Sequence, residues 1–214
     1  MKLFYIPLTR ATRPRWLLEE MGLSYELVRV GSGEMANKFE YQNLHPHNKV
    51  PVLVDDNVTI FESAAICSYL ADQYPEKKLA PSLNSPSRGY YYQWLFYAQT
   101  SLEPPVERYI FQVAPDLPEQ VLPNSEHTKF SKEEIFQWFT KVCEPLQRAL
   151  KNNDYLVDNR LTTVDVVTGG VLYWAYKLGM IKEETPIKKY LMQLIERPAF
   201  QRAHDEINIY KTVA

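Results

Sequence analysis

The sequence predicts two domains: a small mixed α/β domain followed by an all-helical one. Three observations carry that prediction. Strand-like apolar runs are confined to the first third of the chain. A stretch holding Pro81, Pro86 and three serines then interrupts the pattern. Beyond it, every periodic segment has helical spacing.

The elements follow in order. Lys2–Ile6 is a short strand that Pro7 ends. Thr12-Arg13-Pro14 opens a helix, with Thr12 the expected N-cap and Pro14 tolerated in the first turn. Leu17, Leu18 and Met21 give that helix its buried stripe, and Gly22 closes it. Tyr25–Val30 is a second strand, Gly31-Ser32-Gly33 a loop, and Met35–Leu44 a short helix. Val50–Val54 and Val58–Ile60 are strands joined by the Asp55-Asp56-Asn57 turn. Glu62–Tyr74 is helical until Pro75. The resulting β-α-β-α-β-β-α order, with its terminal hairpin, makes a mixed sheet of the thioredoxin-like kind.

Boundaries are expected at residues 1–78 for this domain, 79–87 for the linker and 88–214 for the helical domain. In the last, Arg88–Val113 reads as one long helix disturbed by Pro104-Pro105. Asp116–Thr128 is a loop, and Ser131 with Glu134 forms a capping box. Thr162 and Asp165 repeat that logic, so Asp165 is assigned to folding. Val164, Val167, Val171, Trp174 and Leu178 lie on one stripe of the following helix. Gly169-Gly170 invites close approach of a neighbour. Pro186–Ile195 and Pro198–Ile207 are two short final helices.

Composition narrows the function. Of 214 residues, 45% are hydrophobic and 23% charged, which fits a folded globular chain. Seven glycines against 15 prolines argue against long flexible linkers. A net charge of −2 gives no broad grip on nucleic acid. No apolar run is long enough to cross a membrane. The N-terminus enters a strand without a signal-peptide pattern, so a cytoplasmic location is expected. Cys67 and Cys143 form neither a disulfide framework nor a metal spacing; both read as reduced core thiols. His45, His47, His127 and His204 show no metal spacing either.

Three segments resemble the glutathione transferase family, in its bacterial type, and together span nearly the whole chain. The strongest is Asn48-Lys49-Val50-Pro51-Val52-Leu53-Val54 followed by Ile60-Phe61-Glu62-Ser63-Ala64-Ala65-Ile66. Thr9–Arg13 through Trp16–Glu20 is similar to the family's first loop and helix. Glu196-Arg197-Pro198-Ala199-Phe200 is similar to its last segment. Asn48 stands where the family usually has Gly, and His45-Pro46 where it has Asn-Pro.

The resemblance implies an enzyme that conjugates reduced glutathione, as co-substrate and without a metal, to small hydrophobic electrophiles. Glutathione-dependent disulfide or peroxide reduction and a non-catalytic interaction role are the alternatives. It also implies a two-fold homodimer, a cis bond at Pro51, and a ligand strand held by the backbone of Val50. Glu62 and Ser63, heading a helix, would take the γ-glutamyl end, and Lys49 the glycine carboxylate. Arg10 joins this binding set.

The thiol has a pKa of about 8.5 when free, so the enzyme must stabilise its anion. Registered on Trp16–Glu20, Phe4 falls where one type of relative has Tyr, Leu8 where several have Ser, and Arg10 where another has Cys. Thr9 is the nearest hydroxyl and the expected thiolate stabiliser; Tyr5, Thr12 and the Arg10 amide compete with it. Leu8, Trp94, Tyr97, Tyr109 and Phe111 are the expected electrophile walls. Glu103 or Glu107 of a partner subunit is expected to reach the ligand's amine.

Overall fold

The computed structural model describes residues 1–31, 41, 43–113, 130–182 and 184–205. Most of the helix expected over Met35–Leu44, all of the Asp116–Thr128 loop, and His127 lie outside the described residues.

β1 (Lys2–Tyr5), α1 (Thr12–Met21) and β2 (Glu26–Arg29) form a β-α-β unit whose strands run parallel. β3 (Val52–Asp55) and β4 (Val58–Phe61) form the expected hairpin, and α2 (Ser63–Gln73) follows directly. The sheet order is β2-β1-β3-β4, with β1 and β3 antiparallel. Alternation along the strands decides which residue faces which layer. The paired Leu3 and Leu53 join Trp16 and Ile66 in the main core. Their neighbours, the paired Phe4 and Val52, turn to the opposite face with Val30 and Tyr41.

Gly22 closes α1 in the left-handed region at φ 64°, with its N–H donating back to the helix. The start of α1 differs from expectation. Thr12 lies inside the helix, and its hydroxyl donates to the Thr9 carbonyl at 2.8 Å instead of capping. Ala11 occupies the cap position without a side-chain bond. The turn is held from upstream, so a capping hydroxyl at Thr12 is redundant.

Between a short 3₁₀ turn at Pro75–Lys77 and α3 (Ser87–Tyr97) the chain has no helix or strand, yet it is pinned. The Leu79 carbonyl accepts from the Thr163 amide at 2.8 Å, and the Pro81 carbonyl from buried Arg88 at 2.9 Å. The long helix is continuous in direction but contains a π turn at Ala98–Leu102, which α4 (Glu103–Val113) follows. Pro104 and Pro105 explain the break. They bring no N–H and their rings crowd the carbonyls four residues back, so the chain widens before them and restarts with them in a first turn.

α5 (Lys132–Ala149) begins with the predicted capping box. The Ser131 hydroxyl accepts from the Glu134 amide at 3.1 Å, and the Glu134 carboxylate accepts from the Ser131 amide at 2.7 Å. α6 (Thr163–Lys177), α7 (Pro186–Ile195) and α8 (Pro198–His204) complete the described helices. The last helix stops at His204, short of the expected Ile207, because Asp205 turns extended. Within α6, Val164, Val167 and Val171 are fully buried, whereas Trp174 and Leu178 are only half-buried. Gly169 and Gly170 make the close approach expected of them. A Cβ on Gly169 would come within 3.2 Å of the Trp16 ring, and one on Gly170 within 2.9 Å of Arg13 Cγ. No described helix is long and apolar enough to cross a membrane.

Candidate functional site

The seam between the two domains is built mainly on α1. Its outer side is a charge clamp. Arg197 grips Glu20 through two bonds of 2.6 and 2.8 Å, and Arg202 reaches Glu19 at 2.7 Å. Glu20 also accepts from the Trp16 indole at 2.9 Å. Its inner side carries Arg13, which Glu103 links to Arg10 in the loop after β1.

The chain enters β3 through a cis Val50–Pro51 bond, as expected. Asn48 takes the left-handed φ of 50° that its glycine-like position requires. Val50 lies just outside the ladder, which starts at Val52 on both sides. The Tyr41 hydroxyl donates to the Lys49 carbonyl at 2.7 Å and fixes this approach, while the Lys49 side chain is exposed. His45 packs its ring on Phe61, at 4.8 Å between centroids, and its Nδ1 accepts from the His47 amide. Burial lowers the His45 pKa; nearby Glu62 only partly opposes that.

Glu62 has φ 72° and ψ 115°, a conformation that costs a non-glycine residue on the order of 1 kcal/mol or more. The fold retains it at the first turn of α2, where Glu62 is exposed and Ser63 buried. Ser63 Oγ accepts a 3.3 Å bond from Arg13 Nη1. Among the described residues no hydrogen bond takes up the hydroxyl proton, so it can serve an acceptor outside. The N-terminus of an eleven-residue helix adds positive potential at the same place.

Arg13 in turn is held by Glu103. Glu103 Oε2 accepts from Arg13 Nη1 at 2.9 Å and from Gln99 Nε2 at 2.9 Å; Oε1 accepts from Arg10 Nε at 2.6 Å. Arg10 Nη2 donates to Glu107 at 2.7 Å. Both guanidinium groups lie over the Trp174 ring, at 5.7 Å for Arg10 and 5.1 Å for Arg13. Burial pushes the Glu103 pKa up, but the charges and hydrogen bonds of Arg13 and Arg10 outweigh it and hold the carboxyl below its ordinary value. Burial lowers the Arg10 pKa and the two glutamates raise it, with a net rise. Glu103 is only 3% exposed and tied within its own chain, whereas Glu107 remains half-exposed.

The loop before α1 carries the expected thiolate donors. Leu8 is 72% exposed at a φ of 59°. The Thr9 hydroxyl donates to the Ile6 carbonyl at 2.7 Å and accepts from the Ala11 amide at 3.3 Å, so its single proton is directed into the loop. Tyr5 is fully buried, and its hydroxyl accepts from Arg15 at 3.2 Å. Among the described residues no hydrogen bond takes up the Arg10 amide.

The expected electrophile walls divide. Trp94 and Tyr97 meet edge to face at 5.5 Å inside the helical core, and the Tyr97 hydroxyl donates to the Val142 carbonyl. Tyr109 packs edge to face on Phe136 of α5. Phe111 is half-buried and lies one turn beyond Glu107, on the α4 face that Arg10 meets. Three residues of the site had no place in the sequence-based set: Arg13, Gln99 and Trp174. Arg13 carried a signal, because it stands four residues before Leu17 on the buried stripe of α1, where an arginine needs an acid. Trp174 carried none, since its spacing is that of core.

Cys67 and Cys143 are buried as expected, and burial raises both thiol pKa values, that of Cys143 to about 12. His204 stacks on Phe200 at 3.8 Å and is likewise part of the packing.

Comparison with known proteins agrees with this fold. Residues 1–72 match the family model for the glutathione S-transferase N-terminal domain, and residues 112–198 that for the C-terminal domain. The chain is similar to glutathione S-transferase GstA of Escherichia coli O157:H7, with 30% identity over 95% of this chain and 96% of that one. It is similar to glutathione S-transferase 2 of Schizosaccharomyces pombe, with 31% identity over 89% and 88%. Among solved structures it resembles a ternary complex of BphK, a bacterial glutathione transferase, at a TM-score of 0.78 and 29% identity over 95% and 98% of the two chains. A sphingomonad glutathione S-transferase complexed with glutathione shares the fold, with a TM-score of 0.78 at 23% identity over 98% and 100%. Relatives follow the chain from end to end through both of its domains, and on that ground it belongs to the glutathione S-transferase family and is an enzyme of that family.

Proposed function

We propose that the protein conjugates reduced glutathione to small hydrophobic electrophiles. The observation that carries this reading is the Ser63 hydroxyl. It is buried at a helix start, its oxygen accepts from Arg13, and among the described residues no hydrogen bond takes up its proton; the Val50 backbone, just outside the ladder, is likewise unused by strand pairing. Glutathione would lie along Val50, with its γ-glutamyl carboxylate on Ser63, its amine toward Glu62 and its glycine carboxylate toward Lys49. The thiolate then attacks the electrophilic carbon. A C–S bond forms and the leaving group departs with its electron pair.

The sulfur belongs at the Pro7–Ala11 loop. The committed Thr9 proton favours the Arg10 amide as its donor, with the Thr9 hydroxyl second because it must first leave the Ile6 carbonyl. Leu8, Trp174 and Phe111 are the proposed electrophile walls. Exposed Tyr92 and Phe96, one turn apart on α3, give it an aromatic face suited to a second copy, and light scattering at twice 25.1 kDa checks that dimer. A detoxifying role in the cytoplasm is the setting that fits this chemistry.

The test is retention on immobilised glutathione followed by assays with a chlorinated nitroaromatic and with a small disulfide. Retention with thioether formation is expected. Retention with disulfide reduction alone would replace conjugation by reduction, and no retention would remove the glutathione reading. Thr9→Ala should lower turnover only a few-fold; a loss on the order of 100-fold would return the donor role to the Thr9 hydroxyl.

A further inference from the structure

We propose that Glu103 is a positioning residue that couples the two ends of the glutathione site, holding the Ser63 hydroxyl through Arg13 and the thiol-facing loop through Arg10. The inference rests on the reading that glutathione spans from Ser63 to that loop.

The geometry supplies both branches. One carboxylate oxygen, Oε2, fixes Arg13 Nη1, and the same nitrogen donates to Ser63 Oγ. The other, Oε1, fixes Arg10 Nε at 2.6 Å, three side-chain carbons from the loop backbone that carries Thr9 and the Arg10 amide. The groups facing this carboxylate come from every neighbouring element: Arg10, Arg13, Gln99 and, beyond Arg10, Glu107. Trp174 backs both arginines. Because Glu103 begins α4 directly after the π turn, it belongs to the helical domain, while both branches end in the other.

A purely structural role explains this arrangement poorly. Arg13 is 1% exposed, and among the described residues its Nε and Nη2 have no protein partner. Well-packed apolar side chains commonly replace a buried ion pair with no loss of stability. The outer clamp of Arg197 and Glu20 already ties the domains together, with every nitrogen of its guanidinium group hydrogen-bonded. A carboxylate that branches to a ligand-facing hydroxyl and to a ligand-facing loop does what an apolar contact cannot: it fixes direction.

The experiment compares Glu103→Gln with the unaltered protein by calorimetric titration of glutathione and by the ultraviolet absorbance of the bound thiolate across pH. Weakening of glutathione binding by about tenfold is expected, as for loss of a charge-assisted bond. A rise of about one unit in the apparent pKa of the bound thiol should accompany it. A folded variant with lowered Tm but both readouts unchanged would overturn the proposal and leave Glu103 structural. Should Glu103→Gln fail to fold, Arg13→Lys and Arg10→Lys each keep a counter-charge and cut one branch. Arg13→Lys is then expected to weaken binding alone and Arg10→Lys to raise the thiol pKa alone. No change in either, or the same change in both, would overturn the coupling. If the unaltered protein binds no glutathione, the underlying reading of the site fails instead.

Discussion

Glu103 and Asp165 are both buried acids of the helical domain, yet their surroundings drive them in opposite directions. Asp165 Oδ2 accepts from the Thr162 amide at 2.7 Å and the Thr162 hydroxyl at 3.0 Å. Its Oδ1 accepts from the Leu156 amide at 3.1 Å and the Tyr190 hydroxyl at 2.8 Å. Every one of these donors is neutral. Burial therefore dominates, and the carboxyl is pushed up to about 6 despite four hydrogen bonds. Glu103 accepts fewer bonds, but two come from arginines, and its carboxyl is held below the ordinary value. Neutral donors fix the geometry of an acid, whereas cations also keep it charged. The first suits the start of a helix, and the second suits a site that handles a charged ligand.

Alanine replacements give the largest test of that contrast. Glu103→Ala leaves two guanidinium groups without their shared counter-charge and should cost about 4 kcal/mol, with weakened glutathione binding. Asp165→Ala leaves the Thr162 amide and the Tyr190 hydroxyl buried without their acceptor and should cost about 3 kcal/mol, lowering Tm by about 10 °C. Its folded fraction should bind glutathione normally. Thermal melts paired with glutathione titration read both, and lost binding in Asp165→Ala would erase the distinction between the two acids.

A pH series gives the smaller effect. Asp165 binds its proton more tightly in the fold than in the unfolded chain, so its contribution to stability rises as pH falls through about 6. Glu103 has the opposite sign: its contribution is present above its unfolded pKa and lost as pH falls through its lowered folded value. Between pH 7.5 and 5 the unaltered protein should therefore gain stability relative to Asp165→Asn. Parallel Tm curves for the two over that range would show that Asp165 does not titrate there.

The fold was legible because its signals are local. Gly22 ends α1, Pro75 ends α2, the Ser131–Glu134 box starts α5, and the first strand alternates in burial. The proposed ligand-facing set of Val50, Pro51, Glu62 and Ser63 could be named from the sequence because it occupies one continuous stretch of chain. What failed to show was of another kind. Thr12 has the composition of a cap, but the upstream Thr9 carbonyl already engages it. Trp94 and Tyr97 have the spacing of a wall but turn into the core.

The sequence by itself determined the order of elements, the left-handed turn at Asn48 and the serine at the head of α2, since each depends on residues within a few positions. Only the tertiary structure decided that Arg10 and Arg13 share the carboxylate of Glu103, about ninety positions away, and that Trp174 lies beneath both. Charge pairing acts through space: it depends on which surfaces burial of the apolar stripes brings together, and no local pattern records the partner.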